Sequence, residues 1–475
     1  MATQHFDYDK NDPSSIEAYA KKLRGKTFRD IVDEDTANGT SIIDSPDYKE
    51  AHENKKRKGG LGELVEERYF HYPANSNDQP DFEEAGVELK VTPYKKNRNG
   101  SLSAKERLVI DMIDYNEVVN EDFEDSKFWR KSRLLLIIYY LYRKELEDRL
   151  DYRIDFVQLF SPPENDRKII EEDFRTIVEK IRAGKAHELS ESDTHYLSAA
   201  TKGKDSSKTR TQPFSDIPAK PRAFALKVSY MTYVLNSFMV PGKATYEPIL
   251  PEGTDVPLEK YVVDKIDSFK GMSVVDIEDR TGYKPEKKPK GLGALLAYRM
   301  LSIKGNQAEE FVKADIAVKT IRIQSNGKIK ECMSFPTFKF RELVEEDWED
   351  STLRTYLSET RFLFVVYRQD EEGEYFLKGC QFWNMPYDDL EGHVRKVWER
   401  ARAVINDGSS FRKEGKYYVS SLPKASEDPV CHVRPHGKDS TDQDVLPNGK
   451  TFPKQCFWLN NTYILSQLDK DLRKN

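Results

Sequence analysis

Cysteine is scarce in this chain and unevenly placed. Only four occur in 475 residues, Cys332, Cys380, Cys431 and Cys456, and none has the spacing of paired ligands. That excludes a disulfide framework and a structural zinc site, and it predicts a reducing compartment. Long hydrophobic runs are also missing. The longest, Leu134 to Tyr142, is far short of the roughly 20 residues of a membrane span. The start, Met1-Ala2-Thr3-Gln4-His5, lacks a signal-peptide pattern, so a cytoplasmic protein with no membrane partner is expected. Nor is there an excess of positive charge: the net charge is −6 and the pI about 5.9. The acidic balance limits indiscriminate binding to nucleic acid, so any such contact depends on local basic surfaces.

Charged residues make up 33% and apolar ones 37% of the chain, as in a water-soluble globular protein. The length suits two or three ordinary domains. Internal similarity decides between them. Glu121-Asp122-Phe123-Glu124-Asp125-Ser126 recurs as Glu346-Asp347-Trp348-Glu349-Asp350-Ser351. Arg133-Leu134-Leu135-Leu136-Ile137-Ile138-Tyr139 is echoed by Arg361-Phe362-Leu363-Phe364-Val365-Val366-Tyr367. Upstream, Gly60-Leu61-Gly62 matches Gly291-Leu292-Gly293, and Phe224-Ala225-Leu226 lines up with Phe457-Trp458-Leu459. The separations are 225, 228, 231 and 233 residues, and the four matches keep their order. The chain therefore reads as two copies of one mixed α/β fold, each a central sheet flanked by helices. A breaker-rich stretch with Pro241, Gly242, Pro248, Pro251, Gly253 and Pro257 lies between them. The expected division is a first domain over 1–240, a linker over 241–257 and a second domain over 258–475.

The chemistry concentrates in the first copy. In Val87-Glu88-Leu89-Lys90-Val91, apolar and charged residues alternate as on a half-buried strand. Residues two apart on a strand share a face, so Glu88 and Lys90 project together. Pro80-Asp81 precedes them, and a glycine-rich helix expected over Lys58 to Tyr72 carries Glu66. Two carboxylates suit Mg²⁺, and a neighbouring lysine suits the positioning of an attacking water; together they form a kit for metal-assisted phosphodiester hydrolysis. A Glu-x-Lys pair alone is usually just a solvated face. The second copy argues otherwise. By the repeat separations, Glu66 becomes Ala297, Glu88 becomes Ala317 and Asp81 becomes Glu310, while Lys90 persists as Lys319. The first copy reads as catalytic and the second as a degenerate counterpart.

Basic patches flank this site in sequence: Lys55 to Lys58, then Lys95, Lys96 and Arg98. From Lys202 to Lys227 there are seven Lys or Arg residues against two Asp. Other strands are expected near Leu102–Ile113, Leu134–Tyr142 and Ile154–Leu159, with a helix over Ile169–Arg182.

With Lys58-Gly59-Gly60-Leu61-Gly62-Glu63-Leu64-Val65-Glu66, Pro80-Asp81, Glu88-Leu89-Lys90 and Leu102 to Leu108, the chain resembles the MutH-like endonucleases. It looks most like the two-copy type II restriction enzymes of that group, which cut both strands of duplex DNA at GATC. The resemblance implies a PD-(D/E)xK nuclease core, Mg²⁺ dependence and 5′-phosphate products. It also implies a cognate DNA methyltransferase as functional partner, and a monomer that engages one or two DNA sites. Carried over by motif, Asp81, Glu88 and the Leu89 carbonyl hold Mg²⁺, Lys90 orients the attacking water, and Glu66 acts from its helix. The family's Arg-Pro-Lys reading loop falls at Ala199-Ala200-Thr201-Lys202-Gly203, where Lys202 alone matches, whereas the second copy has Arg434-Pro435-His436-Gly437-Lys438. The residues expected against DNA are Lys58, Lys202, Arg222, Lys227, Arg434 and Lys438. The alternatives are a mismatch-repair nicking enzyme, which has one copy rather than two, and a DNA-binding regulator without catalysis.

Overall fold

The structure is a computed structural model that describes residues 7–37, 60–72, 78–97, 99–202, 208–240, 242, 245–305 and 307–474. The chain resolves into two compact units. One comprises Met1–Tyr246 with Val312–Ala314, the other Glu247–Phe311 with Asp315–Asn475. Among the described residues no helix is long and apolar enough to cross a membrane.

The first unit begins with helix α1 (Pro13–Ala20), capped by the Asp12 carboxylate on the Ser14 amide, and α2 (Phe28–Ala37). A short helix, α3 (Gly60–Leu64), widens into a π-turn over Val65–Tyr69. Next come strands β1 (Glu88–Lys96), β2 (Leu102–Ala104) and β3 (Leu108–Met112), helix α4 (Lys127–Ser132), and strands β4 (Leu135–Leu141) and β5 (Ile154–Phe160). Helix α5 (Glu164–Arg182), strands β6 (Leu197–Thr201) and β7 (Arg222–Leu226) and helix α6 (Val228–Val234) follow. The mixed sheet runs β2-β1-β4-β5, with β1 and β4 parallel; a second sheet, antiparallel, runs β3-β7-β6. Leu135, Leu136, Ile137, Ile138 and Tyr139 of β4 are all buried. A strand covered on both faces needs such a continuous apolar run. In α5, Ile170, Phe174, Ile177 and Ile181 form one buried stripe at helical spacing.

The second unit has the same plan. Helices α7 (Leu258–Asp267), α8 (Val274–Thr281), α9 (Leu292–Met300) and α10 (Glu309–Ala314, whose Val312–Ala314 end is counted with the first unit) precede strand β8 (Ile316–Ile323). Strands β9 (Met333–Thr337), β10 (Arg361–Gln369) and β11 (Tyr375–Trp383), helix α11 (Arg395–Asp407), and strands β12 (Cys431–Pro435) and β13 (Gln455–Leu459) complete it. β8 pairs parallel with β10, which pairs antiparallel with β11. A separate sheet runs β9-β13-β12, the order of β3-β7-β6 in the first unit. Its core gathers Phe340, Leu357, Phe362, Phe364, Trp398 and Phe457.

Three features bear on the sequence expectations. The strand expected over Leu102–Ile113 is two strands in different sheets, separated at Lys105, whose amide turns to the Pro93 carbonyl. The stretch expected as a linker is bound into the second unit from Glu247 onward. There the Glu247 carboxylate accepts the amides of Lys304 and Gly305, and Ile249 and Leu250 donate to Glu310. Third, the separation of 228 between the two apolar strands is off by one. Glu88 lies opposite Leu135 and Lys90 opposite Ile137, whereas Ala317 lies opposite Phe362 and Lys319 opposite Phe364. Leu135 therefore corresponds to Phe362, at 227. A one-residue slip exchanges the faces of a strand, so the corrected register puts Ala317 and Lys319 in the places of Glu88 and Lys90.

Candidate active site

β1 begins at Glu88 because a tight reversal comes just before it. Phe82 and Val87 exchange both backbone hydrogen bonds, at 2.9 and 3.2 Å, around the short turn Glu83–Ala85. Gly86 closes that turn at φ 65°, a left-handed conformation that glycine adopts without strain. The reversal folds Asp81 back over the start of β1. The Asp81 carboxylate accepts the Leu89 amide at 2.8 Å, and the Asp81 amide donates to Glu88 Oε2 at 3.2 Å. On the same strand face, Lys90 Nζ lies 2.7 Å from Glu88 Oε1. Asp81, Glu88 and Lys90 are thus brought together as their spacing predicts.

Glu66 arrives from the π-turn, where Phe70 donates to the Val65 carbonyl at 3.0 Å and Tyr72 to the Glu66 carbonyl at 3.0 Å. Such insertions re-aim side chains and often occur at functional sites. Lys58 and Gly59, expected at the head of this helix, lie outside the described residues.

The electrostatics reveal an unbalanced cluster. Burial, and then the charge of Asp81, push the Glu66 carboxyl up to about 8 against the opposing pull of Lys90. Burial raises Asp81 as well, despite Lys90 and the Leu89 amide. Glu88, only 2% exposed, is raised by burial and by Asp81, with Lys90 opposing. For Lys90 burial is the largest influence and acts downward, but Glu88, Asp81 and Glu66 together outweigh it and hold the ammonium above its usual range. Three carboxylates crowd one ammonium, and each resists ionisation. A divalent cation would relieve that crowding. Among the described residues no three Asp, Glu, His or Cys side chains form a ready-made metal cage. Two carboxylates, those of Asp81 and Glu88, suit Mg²⁺, which keeps much of its water shell.

A further lysine, not singled out in the sequence, belongs to this neighbourhood. Lys131 of α4 is buried, and its charge favours ionisation of both Asp81 and Glu88. It sits in an ordinary-looking Arg130-Lys131 pair in a chain with 76 Lys and Arg residues, so nothing in its spacing gives it away.

The expected DNA contacts divide. Arg222 is 4% exposed and donates to the carbonyls of Ala199 and Leu189. Lys227 is 5% exposed and donates to the Thr194 carbonyl. Both brace the backbone around β6 and β7. Lys202 is partly exposed at the end of β6, its amide bound to the Pro221 carbonyl at 2.9 Å. Arg434 and Lys438 are exposed, and the Arg434 guanidinium lies 4.6 Å from the centre of the Trp458 ring. Strand register relates the two loops: Phe224 lies opposite Ala199, and Phe457 opposite Val433. Arg434-Pro435-His436 therefore occupies the place of Ala200-Thr201-Lys202.

The second unit has no carboxylate trio at the matching positions. Ala297 is fully buried in α9 and Ala317 carries only a methyl group. Glu310 sits in α10 with its carboxylate committed to the Ile249 and Leu250 amides at 2.8 and 3.0 Å.

The fold and the site together define a restriction-endonuclease-like α/β protein in tandem. The family described as "DNA mismatch repair enzyme MutH" matches at residues 70–173 and again at 300–391. The type II restriction enzyme Sau3AI of Staphylococcus aureus is 35% identical over 460 residues, covering 87% of this chain and 93% of that protein. The DNA mismatch repair protein MutH of Vibrio campbellii (strain ATCC BAA-1116) is 26% identical over 189 residues, 38% of this chain and 80% of that protein. The chain belongs to the MutH-like restriction endonuclease family.

Proposed function

We propose that the chain is a type II restriction endonuclease that hydrolyses both strands of duplex DNA at GATC with Mg²⁺, leaving 5′-phosphates. The observation that carries this reading is the convergence of Asp81, Glu88 and Lys90 beside Glu66. The GATC site rests on the family resemblance of the motif set. In this reading Asp81, Glu88 and the Leu89 carbonyl hold the cation. Bound Mg²⁺ supplies Lewis-acid activation of the phosphate and of the attacking water. Lys90, fixed by Glu88, orients that water and offsets the charge gathering on the phosphate. Glu66 steadies water from the helix side, and Lys131 balances the carboxylates from behind. The water oxygen attacks phosphorus, the bond from phosphorus to the 3′ oxygen breaks, and that oxygen leaves as a hydroxyl. Lys202 serves as a DNA contact.

The division of labour we propose gives catalysis to the first domain, residues 1–240, and DNA binding with control of that catalysis to the second, residues 258–475. Arg434 and Lys438 are its exposed contacts. The chemistry implies a cognate methyltransferase that protects the host's own sites, and a protein acting in the cytoplasm as a monomer.

Digestion of a mapped plasmid with Mg²⁺ or with EDTA, followed by sequencing of the ends, tests this reading. Mg²⁺-dependent double-strand ends with 5′-phosphates at GATC are expected. Cuts confined to one strand would favour a nicking enzyme, and no cutting would favour a regulator without catalysis.

A further inference from the structure

Lys319 has kept the sheet position of Lys90 and lost its acidic company. It lines a cavity of about 420 Å³ with Arg322, Gln324, Lys330, Glu331, Cys332 and Ser334. Among the described residues no carboxylate pairs with Lys319, whereas Arg322 is held by Glu331 at 2.6 Å. Burial keeps the Lys319 ammonium below the usual lysine range. Among the described residues, the titrating neighbour acting on it is the Cys456 thiol, on which Arg434 also acts. Arg434 lies opposite Cys456 on the paired strand, outside the residues that line the cavity. A partly buried cation without a counter-charge is costly in the free protein, and an incoming anion offsets that cost. In the first unit three carboxylates would repel a phosphate unless a cation stood between; among the described residues lining the Lys319 cavity the one carboxylate is Glu331, and Arg322 engages it at 2.6 Å.

We propose that the Lys319 cavity binds a backbone phosphate of duplex DNA directly, without a divalent cation. The degenerate site has thus exchanged metal-mediated for lysine-mediated phosphate binding. This rests on the reading of the second unit as DNA-binding and deepens it by naming the site and the metal independence. A cavity of this size accommodates a phosphodiester with part of its sugars.

Cys332 supplies the reporter, since it lines the cavity and is partly exposed while Cys380, Cys431 and Cys456 are buried. The rate of maleimide labelling at Cys332 is measured on the full chain in EDTA, with a GATC duplex or with inorganic phosphate. The wild type is compared with Lys319→Met, which keeps length without charge, and Lys319→Arg, which keeps charge. The duplex is expected to slow labelling in the wild type and Lys319→Arg, and to protect Lys319→Met several-fold less. Loss of this one contact also lowers the salt slope of duplex binding by about 0.9. Lys319→Met is expected to melt at or above the wild-type temperature, because it removes a desolvated charge. Labelling unchanged by the duplex, or equal protection of Lys319→Met, overturns the proposal. Protection by inorganic phosphate but not by the duplex overturns the DNA assignment. Cleavage of a one-site plasmid in Mg²⁺ is read in parallel. If no variant cuts, the nuclease reading fails, while the labelling result still judges the phosphate site by itself.

Discussion

Replacing Glu66 by glutamine is expected to stabilise the metal-free protein at alkaline pH while removing cleavage. The carboxyl is held among Asp81 and Glu88, and burial is the main cause that pushes it from 4.5 up to about 8. A folded-state value above the unfolded one means that the folded protein holds the proton more tightly. The associated stability is fully present below about pH 4.5 and is lost as the pH rises through about 8. Each tenfold difference in proton affinity between the folded and unfolded chain is worth about 1.4 kcal/mol. The side chain keeps some solvent contact, so the penalty at pH 9 is roughly 2–4 kcal/mol. Glutamine fills nearly the same space and cannot ionise. In EDTA, the melting transition of the first unit should therefore rise by about 4–12 °C in Glu66→Gln at pH 9, with the difference shrinking towards zero near pH 5. Mg²⁺ should stabilise the wild type more than the variant. Calorimetric scans across this pH range supply the test. A pH-independent difference, or a variant that melts lower at pH 9, would refute the electrostatic account of the cluster.

Arg222→Ala should lower the melting temperature by about 5–10 °C, since removing a buried donor leaves carbonyls unpaired at a cost of roughly 2–4 kcal/mol. The salt dependence of DNA binding should stay unchanged, and a slope reduced by one phosphate contact would restore Arg222 to the DNA interface. Ala297→Glu with Ala317→Glu should not create a second active centre in an Asp81→Ala background, because Glu310 is already committed to two backbone amides; plasmid cleavage by that triple variant would contradict this. A two-site plasmid should be cut at least about 5-fold faster than a one-site plasmid, and Arg434→Ala with Lys438→Ala should erase the difference. Equal rates on both plasmids would leave the second unit as a structural brace.

The strand carrying Glu88 and Lys90 is legible because alternation is a local signal. Val87 to Val91 announce a half-buried strand, and period two places Glu88 beside Lys90 without further information. The duplication was equally legible, and it turned an ordinary Glu-x-Lys into a site by exposing what the second copy lacks. Register was less accessible. Matching Arg133 with Arg361 is the natural alignment, yet Arg133 precedes its strand whereas Arg361 pairs within its own. Only backbone pairing shows that one-residue difference. Counting charges does not show that Arg222 and Lys227 donate to backbone carbonyls, because composition does not reveal that strand ends in the interior leave carbonyls in need of donors. Lys131 was invisible for the converse reason: its part depends on α4 packing beside the reversal at Asp81, a relation between segments about 50 residues apart in sequence.

If Asp81, Glu88 and Lys90 form a metal-dependent phosphodiesterase, Glu88 is indispensable to the rate of cleavage and dispensable to the binding of DNA. Single-turnover cleavage of an end-labelled duplex with one GATC site is followed in Mg²⁺ for the wild type and for Glu88→Ala, with binding of the same duplex measured in EDTA. The account predicts that the variant loses at least about 1000-fold in rate while its affinity without metal is equal or higher, since a negative charge facing the phosphates has gone. Cleavage by Glu88→Ala within tenfold of the wild type would contradict it.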